Sequence, residues 1–187
     1  MCFENKEYEN LDFSTNSIES VQYENRRFSN CDFANSDISG IEFTECEFQN
    51  CNMSMVNLEN TAFNNVRFKG TKMLGLQFAN CRTLLLSFSF SDCTLDYSSF
   101  FGLDLKKTVF ESTRLHDVDF TESDFSISVF NDCDFANAVF SNTNLEGANF
   151  KTSNNYVIDP EINRVRKARF DLLGVFGLLS KYDIEIS

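Results

Sequence analysis

The chain has 187 residues, 28 Asp and Glu against 16 Lys and Arg, a formal net charge of −12, 22 Phe, seven Cys, one Pro, one His and no Trp. Its length suits one domain, its sign disfavours direct binding to nucleic acid, and its single histidine excludes catalytic machinery built on two. No long apolar run is present, so no transmembrane helix and no membrane partner are expected, and Met1-Cys-Phe-Glu-Asn-Lys lacks the basic-then-apolar pattern of a secretory signal.

From Phe3 to Phe78 every fifth residue is apolar, 16 positions in a row, and the rule returns from Leu95 to Phe150 for another 12. A helix advances about 100° per residue, so a spacing of five spirals around it and makes no stripe. A straight strand alternates its faces, so an odd spacing sends successive Phe residues to opposite sides. One interior is served only if the chain bends once per repeat, which gives a solenoid filled by the fifth residues. With the central residue called i, position i−2 also points inward and is often small or β-branched, as at Val21, Cys31, Cys46, Cys51, Val56, Thr61, Thr71, Cys133, Ala138 and Thr143. Position i+2 in the first run is Asn nine times and Gly three times, residues that tolerate the positive φ of a corner.

Along the chain, the first irregularities are Lys6 and Arg26, which occupy inward i−2 slots. An unpaired buried cation is costly, so fraying of the first coil is expected. Cys2 falls on an outward slot, the one candidate exposed thiol. The remaining cysteines are mostly inward and act as small hydrophobes, which fits a cytoplasmic protein better than a disulfide scaffold. From Phe78 to Leu95 is 17 residues, three repeats plus two, so a two-residue slip lies within 79–93. Centres at Leu85 and Phe90 put the extra residues near 81–84; centres at Thr83 and Phe88 put them near 89–92. The first reading is favoured because Thr is a poor centre, although it places bulky Phe88 at i−2. After Phe150 the rule stops. Phe170 lies 20 residues further on and can close one last inward side. Leu173–Tyr182, apolar at Leu173, Val175, Phe176, Leu178 and Leu179, then suggests a short helix, and 183–186 a closing strand. A solenoid must cover its open end, so this tail reads as a cap, as a homodimer interface, or as both.

The units resemble the pentapeptide repeat family, whose pattern is roughly small, Asp/Asn, Leu/Phe, polar, turn residue. Good copies are 31–35 and 133–137 (both Cys-Asp-Phe-Ala-Asn), 118–122 (Val-Asp-Phe-Thr-Glu) and 148–152 (Ala-Asn-Phe-Lys-Thr). The resemblance covers residues 1–152. It implies an all-β fold, a right-handed quadrilateral parallel β-helix with four repeats per coil, followed by a C-terminal loop, a last partial coil and a short helical cap or dimerisation tail in 153–187. Within the family the chain is similar to the quinolone-resistance group, the Qnr and MfpA proteins, in length, acidity, Phe-rich centres and tail. It departs from the Qnr branch in lacking large loops.

The charge sits on the coils: residues 1–80 hold 12 acidic and 6 basic side chains, 93–152 hold 10 and 4, and 153–187 balance. With four repeats per coil, residues 1–80 divide into a side bearing Glu4, Glu24, Glu42 and Glu45, a neighbour bearing Glu19, Asp37 and Glu59, and a basic side with Lys6, Arg26, Arg27, Arg67 and Lys69. Two adjacent acidic sides are the candidate binding faces. His116 falls on an outward slot and reads as surface. No Cys-x-x-Cys pair, zinc spacing or phosphate-binding glycine loop occurs, so neither enzymatic chemistry nor a metal or cofactor is expected. The resemblance implies a non-catalytic acidic rod that mimics DNA and binds DNA gyrase or topoisomerase IV, as a dimer through the tail. The alternative is a structural or regulatory scaffold for protein–protein contacts with no topoisomerase partner.

Overall fold

A computed structural model describes residues 7–16, 18, 21–182, 184 and 185. The expectations for Cys2, Glu4, Lys6 and Glu19 lie outside these residues. Among the described residues are ten short strands: β1 (Glu7–Glu9), β2 (Gln22–Glu24), β3 (Arg27–Ser29), β4 (Glu42–Thr44), β5 (Glu47–Gln49), β6 (Ala62–Asn64), β7 (Val66–Lys69), β8 (Phe88–Ser91), β9 (Val109–Glu111) and β10 (Val129–Asn131). All pair in parallel, β1-β3-β5-β7-β8-β9-β10 in one sheet and β2-β4-β6 in another. The other two sides are single bridges, one running from Asp12↔Asp32 to Asp134↔Asn154, the other through Asp37↔Asn57 and from Gln77↔Ser99 to Asp119↔Val139. Residues 20 apart are neighbours, so one coil is four repeats. The seven-stranded sheet is side one; sides two, three and four follow in chain order and hold the central residues Phe33, Ile38 and Phe43 respectively.

The central residues fill the axis. Along one side the rings stack face to face, Phe28 on Phe48 at 4.8 Å and Phe78 on Phe100 at 4.6 Å. Across a corner they meet edge to face, as Phe28 and Phe43 do at 78°. Both geometries suit the ring quadrupole. The second inward row is small for a further reason than crowding. Its hydroxyls and thiols donate to the carbonyl of the central residue one coil earlier: Thr61 to Ile38 at 2.9 Å, Thr71 to Phe48 at 3.0 Å, Cys51 to Phe28 at 3.3 Å and Thr143 to Phe120 at 2.9 Å. For Ile38 and Phe120 the carbonyl also accepts a backbone N–H, from Ile41 at 3.2 Å and Ser123 at 3.3 Å, so the side chain fills its second lone pair. Val21 does not follow the row. It is exposed at the N-terminal end, where no described residue lies beneath it on side four.

The register changes from 20 to 22 at Val66↔Phe88, Lys72↔Thr94 and Gln77↔Ser99. Neither sequence reading places the break fully. Phe90 is a centre, stacked on Phe68 at 5.4 Å. Leu85 is not: it is 67% exposed with φ +61°, the corner position of a repeat centred on Thr83. The extra pair is therefore Leu86 and Ser87. Thr83 faces solvent and leaves the axis above Phe63 without a central ring. Phe88 enters that space from the neighbouring side, 6.5 Å from Phe63 and 5.4 Å from Phe78, with Leu86 packed beside it. A large residue at i−2 is tolerated here because a large residue at i is missing.

At the C-terminal end Phe170 stacks on Phe150 at 5.4 Å and closes a last inward side. Tyr156 and Ile158 are buried over the final rings. The tail then folds back across them. It contains one turn of helix, α1 (Phe176–Leu179), rather than a helix from 173 to 182, and Ile184 and Glu185 are not in a strand. Two glycines, Gly174 and Gly177, let the tail lie directly against Tyr156. A Cβ on Gly177 would strike the Tyr156 carbonyl oxygen, and Ile158 N–H donates to the Gly177 carbonyl at 3.1 Å. Lys181 pins the fold-back through Asp159 and Glu161, each at 2.7 Å.

Candidate acidic binding surface

The acidic residues fall into two kinds, set by their slot in the repeat. At i−1 the Asp or Asn oxygen accepts the N–H of i+1: Asp37 from Ser39 at 2.9 Å, Asp119 from Thr121 at 2.9 Å, Asp124 from Ser126 at 2.9 Å, Asn57 from Glu59 at 3.1 Å. This is the local Asx bond that favours these residues in turns, and it explains their recurrence at i−1. The backbone and side chain of Ser39 and the amide of Asn57 keep the Asp37 carboxyl below its ordinary value. At i+1 and i+2, by contrast, the carboxylates of Glu59 and Glu122 have no partner among the described residues and project outward.

The two predicted acidic sides are unequal. On side four Glu24 is exposed, but Glu42 is tied by an ion pair to Arg82, which reaches it across two coils, and by a hydrogen bond from Gln22 at 3.1 Å. Glu45 occupies a corner at φ +52° and borders a groove lined by Arg26, Arg27 and Arg67 of side one. Further along, side four carries Lys106 and Lys107, then Arg164, Arg166 and Lys167. Side three is different. Its repeats, 36–40, 56–60, 76–80, 98–102, 118–122 and 138–142, contain Asp37, Glu59, Asp119 and Glu122 and not one Lys or Arg. Asp119 and Glu122 are missed by a count that stops at residue 80; carrying the register across the two extra residues puts them in line.

On side one the charges largely cancel, whereas side two keeps Asp12, Asp32, Asp96, Asp117 and Asp134 against Lys72 and Arg114. Glu47 lies between Arg27 at 3.2 Å and Arg67 at 3.4 Å. On side two the buried carboxylate of Asp96 takes both Arg114 nitrogens, Nη2 at 2.6 Å and Nε at 3.0 Å. His116 is outward but not idle: its Nε2 lies 2.7 Å from Asp134, whose other oxygen accepts from Asn155 at 2.7 Å. Among the described residues no three His, Cys, Asp or Glu converge to hold a metal, and no helix is long and apolar enough to cross a membrane. The tail residues divide by face. Leu178 packs on the core, Leu179 is half-buried, and Leu173, Val175 and Phe176 are exposed together with Leu172.

Comparison with known proteins agrees with this architecture. The sequence profile described as Pentapeptide repeat region matches residues 21–83 and 76–150. Solved structures of QnrB1, "a plasmid-mediated fluoroquinolone resistance protein", superpose along nearly the whole chain. One trypsin-treated point variant gives a TM-score of 0.65 at 18% identity, covering 98% of this chain and 99% of that one. A second trypsin-treated point variant gives 0.65 at 19%, covering 98% of each. The full-length form gives 0.51 at 17%, covering 95% and 97%. No curated protein sequence matches the chain. The five-residue period, the quadrilateral coil and the sequence profile together place the chain in the pentapeptide repeat family.

Proposed function

We propose that this protein is a non-catalytic acidic rod that occupies the DNA-binding groove of a type II topoisomerase, DNA gyrase or topoisomerase IV, and thereby modulates or protects the enzyme. The observation that supports this is side three, an acidic strip whose repeats between residues 36 and 142 carry no cation. Charge density supports it as well. Nine levels on side one, at about 4.8 Å each, make a rod roughly 38 Å long. Its charge of −12 is then one per roughly 3 Å, against one per about 1.7 Å for duplex DNA. A groove that draws its affinity from phosphates meets about half that density on this rod. Fold-level likeness to QnrB1 agrees with the reading, and Leu173, Val175 and Phe176 would form the contact of a homodimer while Leu178 and Leu179 serve the cap. A cytoplasmic setting fits the buried, unbonded thiols.

The test is a gyrase supercoiling assay with added protein, with and without a quinolone. The expected result is either reduced supercoiling or relief of quinolone inhibition. No effect at micromolar excess would remove the topoisomerase and leave a structural or regulatory scaffold.

A further inference from the structure

Side three carries more than carboxylates. Outward positions of a coil should be polar, yet two aromatics stand outward on one level: Tyr97 at the corner entering side three, 66% exposed, and Phe101 on the side itself, 46% exposed. Among the described residues of the coils, 7–170, they are the large exposed aromatics. Tyr97 takes φ +62° there, a backbone region that a bulky residue enters at a cost. Neither ring belongs to the buried cluster that fills the axis.

The ground around them is low and apolar. One coil towards the N-terminus, Gly75 lies under Tyr97 and Ala79 under Phe101. Met55, 61% exposed, leans into the gap, with its sulfur 2.6 Å from where a Gly75 Cβ would sit. A side chain at Gly75 would displace Met55 and fill the dip. Carboxylates stand on both sides of this island along the rod: Asp37 and Glu59 towards the N-terminal end, Asp117, Asp119 and Glu122 towards the other. No cation interrupts side three between them. The island exposes roughly 200 Å² of aromatic surface, too little for an interface and the right size for its centre. Interfaces concentrate their energy in such aromatic anchors, surrounded by weaker polar contacts that exclude water.

We infer that Tyr97 and Phe101, with Met55 beside them, anchor side three in an apolar recess of a partner protein whose surrounding surface is rich in Lys and Arg. A nucleic acid is the wrong occupant, because its phosphates would face Asp119 and Glu122. A second copy is also wrong, because side three against side three sets like charges together. This assignment rests on the topoisomerase reading and names the face and the contact that the reading leaves open.

The experiment measures binding of the full chain to DNA gyrase holoenzyme, for the native protein, the double variant Tyr97→Ser/Phe101→Ser, the double variant Glu59→Lys/Glu122→Lys, and a side-one control, Val109→Ser. All substituted side chains point outward, so circular dichroism should be unchanged. The aromatic variant should bind tenfold or more weakly, about the loss expected of a hot spot. The charge variant should bind more weakly at low salt with a shallower salt dependence, and the control should bind normally. If the native chain binds and the aromatic variant binds equally well, the anchor is wrong while the acidic-rod reading stands. If the native chain does not bind at all, both fall together.

Discussion

Phe100 and Phe101 are neighbours in sequence with the same side chain and opposite fates, which makes them an internal test of the coil. Phe100 is fully buried. Its ring stacks on Phe78 at 4.6 Å and Phe120 at 5.5 Å, and meets Phe110 and Phe125 edge-on at 6.0 and 5.8 Å. Each of those rings is fixed by its own ladder, so a cavity left by Phe100→Ala cannot collapse. The cost should be at the upper end of the range for such changes, about 3–5 kcal/mol. At roughly 2–4 °C per kcal/mol for a chain of this size, Tm should fall by roughly 6–20 °C. Phe101→Ala removes an outward ring that is no part of the buried cluster and should change stability by no more than about 0.5 kcal/mol. Thermal and urea unfolding followed by circular dichroism would measure both. Equal losses, or a larger loss at Phe101, would refute the inward assignment of the fifth residues.

Gly177→Ala should loosen the tail, since the added Cβ meets the Tyr156 carbonyl; faster proteolysis after residue 170 with an unchanged coil spectrum is the expected result, and equal protease resistance would contradict it. Asp134 gives a pH dependence. Burial alone would raise its carboxyl, but hydrogen bonds from Asn155 and His116, and the charge on His116, hold it below the ordinary 3.8. A depressed pKa contributes stability that is present above the unfolded value and lost as pH falls through the folded one, so between about pH 5 and pH 2 the native protein should lose more stability than Asp134→Asn; identical pH slopes in urea unfolding would count against the pairing. Burial pushes the thiols of Cys51, Cys81 and Cys133 up to about 12 and that of Cys93 to about 11. Together with Cys31 and Cys46 they should be silent to a thiol reagent at about pH 8 until the chain is denatured; reaction of more than one thiol per native chain would show that the second inward row is open.

The period of five was legible because it is a steric requirement repeated at every corner, and the Asn and Gly residues at i+2 mark the same corners. The slip was harder. Sequence spacing shows that two residues are added, but choosing where requires knowing that a missing ring at Thr83 can be replaced from the next side by Phe88. The cap was partly legible: its apolar residues announce a covering segment, whereas the role of Gly174 and Gly177 depends on Tyr156 lying beneath them, a contact with no local signature. Charge was legible by count and misleading by pairing. Glu42 belongs to an acidic side in the sequence, yet Arg82, 40 residues later, neutralises it. Side three keeps its acidity because nothing basic stacks onto it.

Competition between this protein and duplex DNA for gyrase bears most directly on the proposal of an acidic rod in a DNA-binding groove. With a labelled duplex bound to the enzyme, added protein should displace the DNA, and the displacement should weaken as salt rises. A stable complex holding both, with the affinity for DNA unchanged, would contradict it.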